Sequence, residues 1–476
     1  MTTNGTTQDR RLVAALGFSV LAVAVLQTGV VPVLSAIAGQ LQVSTAAASW
    51  VVTANLLAAA ASAPVIGRLA DVFNKKSVLL GTLAVVLAGS ILGATASALP
   101  LLVLGRFLQG TSFALYPIAV SVLRREIPGS LLIRSIAVLS AMLGLGGAVG
   151  LVGTGFLMPE GASYQRIFLM HTILVIAVIA AVVVAVPSRP QRTIARVDWI
   201  GAAGLALGLV GLLLAISQGS TWGWTSPRTS GAAAAGVSIL MMWRSWNRRS
   251  DSPLVATAIL KRRPVLLANS AGFLTGMGSY LSVMGLSHFA GCPVSAGFGF
   301  GASVSGVSLQ FLLPGAITGT LTAVVAGRAI ERFGARAVVA AGGTAGVVGF
   351  GMLMLFHTDR WQLVVAGLLT SAYISLSYGA LPALIVGDVE PGETAVATGL
   401  NGTFSKIAGA SAAALVGSFL TPAGGGHPAE SGFTMVFLAG VITAAGVVGL
   451  AWLGRTRQSA GVRLLRMVPA RQLQPA

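Results

Sequence analysis

The chain has 476 residues, of which 55% are apolar and 9% charged, and its mean hydropathy is +0.86. Soluble domains carry about a quarter charged residues, so a soluble enzyme of this size is excluded and a polytopic membrane protein remains. The 30 Lys and Arg outnumber the 12 Asp and Glu by 18, and the single Cys292 and four scattered His offer neither an intramolecular disulfide nor a metal site.

Runs of apolar residues long enough to cross a hydrocarbon core predict fourteen spans: 12–38, 46–67, 77–97, 100–122, 135–157, 167–187, 199–217, 230–246, 264–290, 303–326, 337–356, 361–386, 396–420 and 432–454. Arg10 and Arg11 lead straight into the first run, which is too long for the apolar part of a cleavable signal. The eighth run is the shortest signal, alanine-rich and closed by Met241, Met242, Trp243 and Arg244. Continuous rather than alternating polarity selects helices over a barrel.

Placing the N-terminus inside sorts the basic residues. Arg166, Arg228 and Arg360 fall in external connections and Arg106 and Lys406 deep within spans; every other Lys and Arg, including Arg244 at the close of the eighth run, falls on the cytoplasmic side. Removing one span would reverse every later cluster, so the asymmetry predicts an even count with both termini cytoplasmic. The net +18 is then a sorting signal, and no nucleic-acid partner is needed to explain it.

An internal repeat follows the second and tenth spans. Gly67-Arg68-Leu69-Ala70-Asp71-Val72-Phe73-Asn74-Lys75-Lys76 and Gly327-Arg328-Ala329-Ile330-Glu331-Arg332-Phe333-Gly334-Ala335-Arg336 share one pattern at an offset of 260 residues. Gly105 and Tyr116 correspond to Gly367 and Tyr378 at an offset of 262. Two halves of an ancestral unit are expected, and the offset is worth about eight spans rather than six, so two helices are inserted between them. The expected organisation is therefore all-α: a cytoplasmic N-terminus over 1–11, a six-helix bundle over 12–187, two inserted spans with linkers over 188–263, a second six-helix bundle over 264–454 and a basic cytoplasmic tail over 455–476. Within each repeat, a carboxylate at a helix end beside Arg and Lys is suited to latch one conformation of a moving pair of bundles. Gly67, Arg68, Asp71, Lys75, Lys76, Gly327, Arg328, Glu331, Arg332 and Arg336 are the candidate cytoplasmic gate.

These residues resemble the major facilitator superfamily, in particular its fourteen-span drug:proton antiporter branch. Gly67–Lys76 is similar to the superfamily's loop signature between spans two and three. Leu104-Gly105-Arg106-Phe107-Leu108-Gln109-Gly110 resembles its span-four Arg-x-x-Gln-Gly motif, and Trp50–Ala54 and Gly399-Leu400-Asn401 with Lys406 also fit the branch. The resemblance implies a substrate cavity between two pseudo-symmetric six-helix bundles plus two extra helices, opening alternately to each side. It further implies export of drug- or antibiotic-like compounds across a bacterial cell (inner) membrane, powered by the proton gradient without a cofactor. The chain departs from the pattern at Gln27, where family exporters carry an Asp, at Leu151 for a proline, at Asn55 for a Tyr and at Asn74 for a Gly. The last is a residue that tolerates left-handed backbone angles.

All twelve acids lie outside the expected spans, so no membrane-buried carboxylate is left to carry a proton. Gln27, Asn55, Arg106, Gln109, Asn401 and Lys406 are the polar residues expected in the cavity or in coupling. A buried charge is costly and should face a partner, water or the bundle interior. Arg106 can therefore brace span one or meet substrate. Lys406, whose charge desolvation disfavours, can stand in for the missing proton carrier, bind an anion or fix helix packing. Phe113, Tyr116, Phe311, Tyr373 and Tyr378 are candidate lining aromatics, and His171 and His288 read as polar anchors. Gly146 and Gly150 in span five, and Gly409 and Gly417 in span thirteen, have the small-residue spacing of close helix packing.

No phosphate-binding loop or catalytic set is present, so the expected protein is a secondary transporter and not an enzyme. Its expected partners are a small-molecule substrate and the lipid bilayer, and a monomer is expected. An exporter or facilitator of an anionic metabolite, with Arg106 and Lys406 as ligands, is the alternative. A non-transporting receptor is a remote third, since the Arg-rich stretch after Gly454 suits lipid headgroups better than a signalling domain.

Overall fold

The computed structural model describes residues 3–30, 33–43, 45–48, 50–159, 161–189, 197–250, 262–302, 306–386, 394–420 and 428–453. The basic tail expected over 455–476 lies outside these residues, as do parts of the linkers within 188–263.

The regular elements among the described residues are helices. In the N-terminal half they form α1 (Thr3–Thr28), α2 (Leu34–Gln40), α3 (Thr45–Ala48), α4 (Trp50–Val72), α5 (Lys75–Thr95), α6 (Leu99–Gly110), α7 (Leu115–Glu126), α8 (Gly129–Leu157) and α9 (Gln165–Ala185). The insertion forms α10 (Trp199–Trp222) and α11 (Pro227–Arg249). The C-terminal half forms α12 (Arg263–Gly291), α13 (Leu313–Phe333), α14 (Ala335–Leu355), α15 (Arg360–Val386), α16 (Thr394–Phe419) and α17 (Glu430–Leu453). Among the described residues, 11 helical stretches are long and apolar enough to cross a membrane. They correspond to expected spans one to seven, ten to twelve and fourteen. Helices also form at the eighth, ninth and thirteenth positions (α11, α12 and α16), which are richer in polar residues.

Three expected spans are locally interrupted, each beside a proline. The first run breaks after Thr28, shortly before Pro32, which disfavours helix at the residue preceding it. The fourth is split by a 3-10 turn at Thr111–Ala114. Pro117, near the start of α7, lacks an N–H and would press its ring on the carbonyl four residues back, that of Phe113. The tighter turn relieves that clash. The tenth opens with a π-helical turn at Val307–Leu312, just ahead of Pro314.

Two large apolar cores form. Leu16, Val20, Leu83, Ile118, Leu139 and Val178 belong to that of the N-terminal half, and Leu281, Phe350, Ala366, Val436 and Val447 to that of the C-terminal half. The halves meet where α8 packs on α13 and where α4 and α7 pack on α16. The α10–α11 hairpin lies along one flank and touches both. Leu213 packs with Leu57 and Ala60 of α4 and Ala410 of α16, while Gln218 donates to Thr53 Oγ1 at 3.3 Å and Trp222 faces Trp50 at 6.5 Å. Asp198 starts this hairpin by accepting from Gly201 N at 2.8 Å, capping α10, and from Trp246 Nε1 at 3.0 Å, which ties in the far end of α11.

Gly146 and Gly150 lie on the face of α8 that presses on α1. A Cβ at Gly146 would run into the Leu21 carbonyl oxygen, and one at Gly150 into Thr28 Oγ1. Gly409 gives room to the Tyr280 ring in the same way, and Gly417 sits two turns further along α16.

Candidate functional site

A cavity of about 290 Å³ lies between the halves. From the N-terminal half come Gln27 and Thr28 of α1, Phe113 of the 3-10 turn, Tyr116 of α7 and Ser140 of α8. From the C-terminal half come Tyr280 of α12, Tyr378 and Pro382 of α15, and Asn401, Ser405 and Lys406 of α16. The repeat-related pair Tyr116 and Tyr378 thus faces one space from opposite halves. The wall is mostly apolar and aromatic, with hydroxyl and amide groups at intervals and, among the described residues, Lys406 as its one charged residue. The Lys406 ammonium lies over the Phe113 ring, 4.0 Å from its centroid, joining α16 to the N-terminal half by a cation–π contact. Gln27 Nε2 is buried and has no hydrogen-bond partner.

The six polar residues grouped by sequence separate into two places. Gln27, Asn401 and Lys406 line the cavity. Arg106, Gln109 and Asn55 instead form a network inside the N-terminal half, away from the cavity wall. Arg106 is 1% exposed; its Nε donates to Val51 O at 3.2 Å and its Nη1 to Leu26 O at 3.0 Å and Gln109 Oε1 at 2.9 Å. Gln109 donates onward to Ser90 Oγ at 2.9 Å, and Asn55 donates to the Arg106 carbonyl at 3.1 Å. The guanidinium thereby ties α1, α4 and α6 together. Asn401 also turns inward, donating to Ala268 O at 3.0 Å and Asn269 Oδ1 at 3.2 Å, so it pins α16 to α12. Of the aromatics, Phe113, Tyr116 and Tyr378 line the cavity, whereas Phe311 and Tyr373 are fully buried in the core of the C-terminal half. His171 is buried against Phe168 with neither ring nitrogen bonded.

The two charged loops, alike in sequence, differ in their contacts. In the first, Asp71 is buried and lies 3.6 Å from Lys75 Nζ, which also donates to Ser121 Oγ at 2.7 Å and Ala70 O at 2.9 Å. Lys76 donates to Val183 O at 2.8 Å, so this loop fastens to its own half. Asn74 takes φ −57°, not a left-handed angle, and caps α5 through Oδ1, which accepts from Lys76 N and Ser77 N. The left-handed angle that Asn would tolerate is not used at this position, whereas its repeat partner Gly334 takes φ +85°. In the second loop, Glu331 Oε2 accepts from Arg134 Nε at 2.9 Å and Nη2 at 2.7 Å. Arg134 belongs to α8, so this pair crosses between the halves. Beneath it, a Cβ on Gly327 would stand 3.0 Å from that of Ala137. Arg68 Nε is buried without a partner, Arg332 lies over the Phe333 ring, and Arg328 is exposed. Arg336 starts α14.

Sequence reasoning missed Arg134, Tyr280, Ser140 and Ser405. Arg134 stands outside both repeated loops, and a Ser or Tyr within an apolar run carries no sign of the face it presents.

The two halves thus wall a shared cavity and are joined by the Arg134–Glu331 ion pair. Residues 16–314 match the family described as the Major Facilitator Superfamily. The chain belongs to that superfamily, and it spans less than two thirds of the length of the first curated relatives it matches. It is 28% identical over 414 residues to an uncharacterized transporter of the same superfamily type from Mycobacterium tuberculosis, a match covering 83% of this chain and 57% of the relative. It is 28% identical over 423 residues to the cephamycin export protein of Amycolatopsis lactamdurans, covering 85% of this chain and 84% of the relative. The crystal structure of a human organic anion transporter shares the fold, with a TM-score of 0.65 at 17% identity, over 92% of this chain and 99% of that one.

Proposed function

We propose that this protein exports small amphipathic organic compounds, drug- or antibiotic-like, by alternating access, drawing on the proton motive force without a cofactor. It does so as a fourteen-span monomer in the inner membrane of a bacterium, with both termini cytoplasmic. The bundles 12–187 and 264–454 rock about the cavity, and 188–263 supplies the flanking pair of helices. The observation that carries the reading is the aromatic, sparsely polar cavity shared by both halves, a lining that suits ligands recognised by apolar area and a few hydrogen bonds. The export protein among its relatives agrees with this direction.

The Arg134–Glu331 pair and the Ala137–Gly327 approach lie at the end bearing the charged loops. With those loops cytoplasmic, this is the conformer closed towards the cytoplasm, and breaking the pair opens the other state. An anion site built from both Arg106 and Lys406 has less support, since the Arg106 guanidinium is engaged by Leu26, Val51 and Gln109.

Uptake of cationic, neutral and anionic amphiphiles into inside-out vesicles, with and without an imposed proton gradient, tests the reading. Gradient-dependent accumulation of at least one amphiphile is expected. Absence of accumulation of any of them overturns it.

A further inference from the structure

The cavity holds one feature that its role as a passage does not require: a positive charge of the protein's own, seated on an aromatic ring. Lys406 extends from α16 across the space to Phe113, 4.0 Å from the ring centroid. Tyr116, Tyr280 and Tyr378 line the same space. An aromatic wall of this kind is the usual recognition surface for an organic cation, which is attracted to the negative faces of the rings. Among the described residues no Asp or Glu lines the cavity, so a visiting cation would meet the like charge of Lys406 in a poorly solvated space.

We propose that Lys406 acts as a tethered cation that occupies the Phe113 seat, so that the cavity refuses organic cations and accepts neutral or anionic amphiphiles bearing hydrogen-bond acceptors. This names the substrate class of the site under Proposed function and rests on that reading. The unpartnered Gln27 N–H supports the acceptor requirement independently. Gln27 lines the same cavity with its Nε2 unbonded and covered by protein, so a turn of the side-chain amide would offer that donor to a carbonyl, carboxylate or sulfonate oxygen of a ligand. Specificity here is achieved by a repulsive element as much as by an attractive one. Removing the lysine charge should therefore do more than weaken anion binding: it should free the aromatic seat and create a cation site.

Tetraphenylphosphonium and tetraphenylborate are nearly equal in size and shape and opposite in charge, and so isolate the effect. Their affinities are measured by titration calorimetry on the purified full chain in detergent, with a micelle blank subtracted. The wild-type protein is expected to bind tetraphenylborate about tenfold more tightly than tetraphenylphosphonium, the scale of one desolvated cation–π contact and one like-charge encounter. Lys406→Gln should bring the two within about threefold by raising phosphonium affinity as well as lowering borate affinity, and Lys406→Met, which keeps most of the aliphatic stem, should do the same. Lys406→Arg should keep the wild-type preference. Phe113→Leu added to Lys406→Gln should remove the gained phosphonium affinity.

Equal affinities in the wild type, no phosphonium gain in either neutral variant, or a gain that survives loss of Phe113 would each overturn the tether. Equilibrium binding needs no transport. Discrimination without vesicle flux would sink the export reading alone, and flux without discrimination would sink the tether alone.

Discussion

Arg134 and Glu331, 197 positions apart, meet through two hydrogen bonds from one guanidinium to one carboxylate oxygen. They join α8 of one half to α13 of the other at the end where the repeated loops lie. The Arg134 side chain is 58% exposed, and exposed pairs add little to overall stability. Their effect is on the balance between conformers, because the contact exists only while the two helices are together. Arg134→Gln and Glu331→Gln should each leave thermal unfolding nearly unchanged. Each should raise the thiol-labelling rate of a cysteine placed at Ala137 several-fold, and the exchange Arg134→Glu with Glu331→Arg should bring labelling back towards wild type. Unchanged labelling in the single variants would show that the pair does not hold the halves together.

Arg106 offers a contrasting case, a charge whose partners are all within its own half. Arg106→Leu leaves the Leu26 and Val51 carbonyls and Gln109 Oε1 without this donor in a buried setting. A loss on the order of 2–4 kcal/mol is expected, read as a lowered unfolding midpoint in detergent. Arg106→Lys should recover only part of it, since an ammonium cannot reproduce the planar fork. Full stability of the leucine variant would rule out the bracing role.

The α1–α8 contact depends on the absence of a side chain at one position. Gly146→Ala would force its Cβ onto the Leu21 carbonyl, which is backbone and cannot step aside. A cost of about 1–3 kcal/mol is expected. Gly147→Ala, whose Cβ would find Thr28 Cγ2 at an ordinary 3.7 Å, should cost far less. Equal unfolding midpoints for the two variants would contradict this packing.

Cys292, just past the end of α12, is 5% exposed, and burial pushes its thiol pKa up. It is therefore a thiol rather than a thiolate at neutral pH, and thiolate is the reactive form. Alkylation by iodoacetamide at pH 7.4 should be much slower than for glutathione and should rise as pH is taken above 9. Fast labelling at neutral pH would place the residue in the open. Slow labelling would let introduced cysteines be followed with Cys292 in place.

Much of the architecture is legible in the sequence because membrane insertion imposes a strong one-dimensional code. The length of an apolar run and the side on which Lys and Arg collect are local properties, readable without knowing any contact. The repeated loops and the pairing of Tyr116 with Tyr378 are likewise visible as spacing, and both tyrosines do face the cavity. Small-residue spacing at Gly146 and Gly150 also picked out the face of α8 that presses on α1.

What tertiary structure alone decided is which way each polar side chain turns. Gln27 and Arg106 are both polar groups in apolar helices. One lines a shared cavity, and the other spends its donors on neighbouring carbonyls. The two Gly-Arg-x-x-acid loops are near copies, yet Asp71 is held by Lys75 and Ser121 of its own half while Glu331 reaches Arg134 of the other. Within a span, hydrophobicity is similar all round, so periodicity gives little sign of a helix's inward face. Rotation and partner choice are set by packing and hydrogen bonding between helices distant in the chain, and only assembly of the two halves determines them.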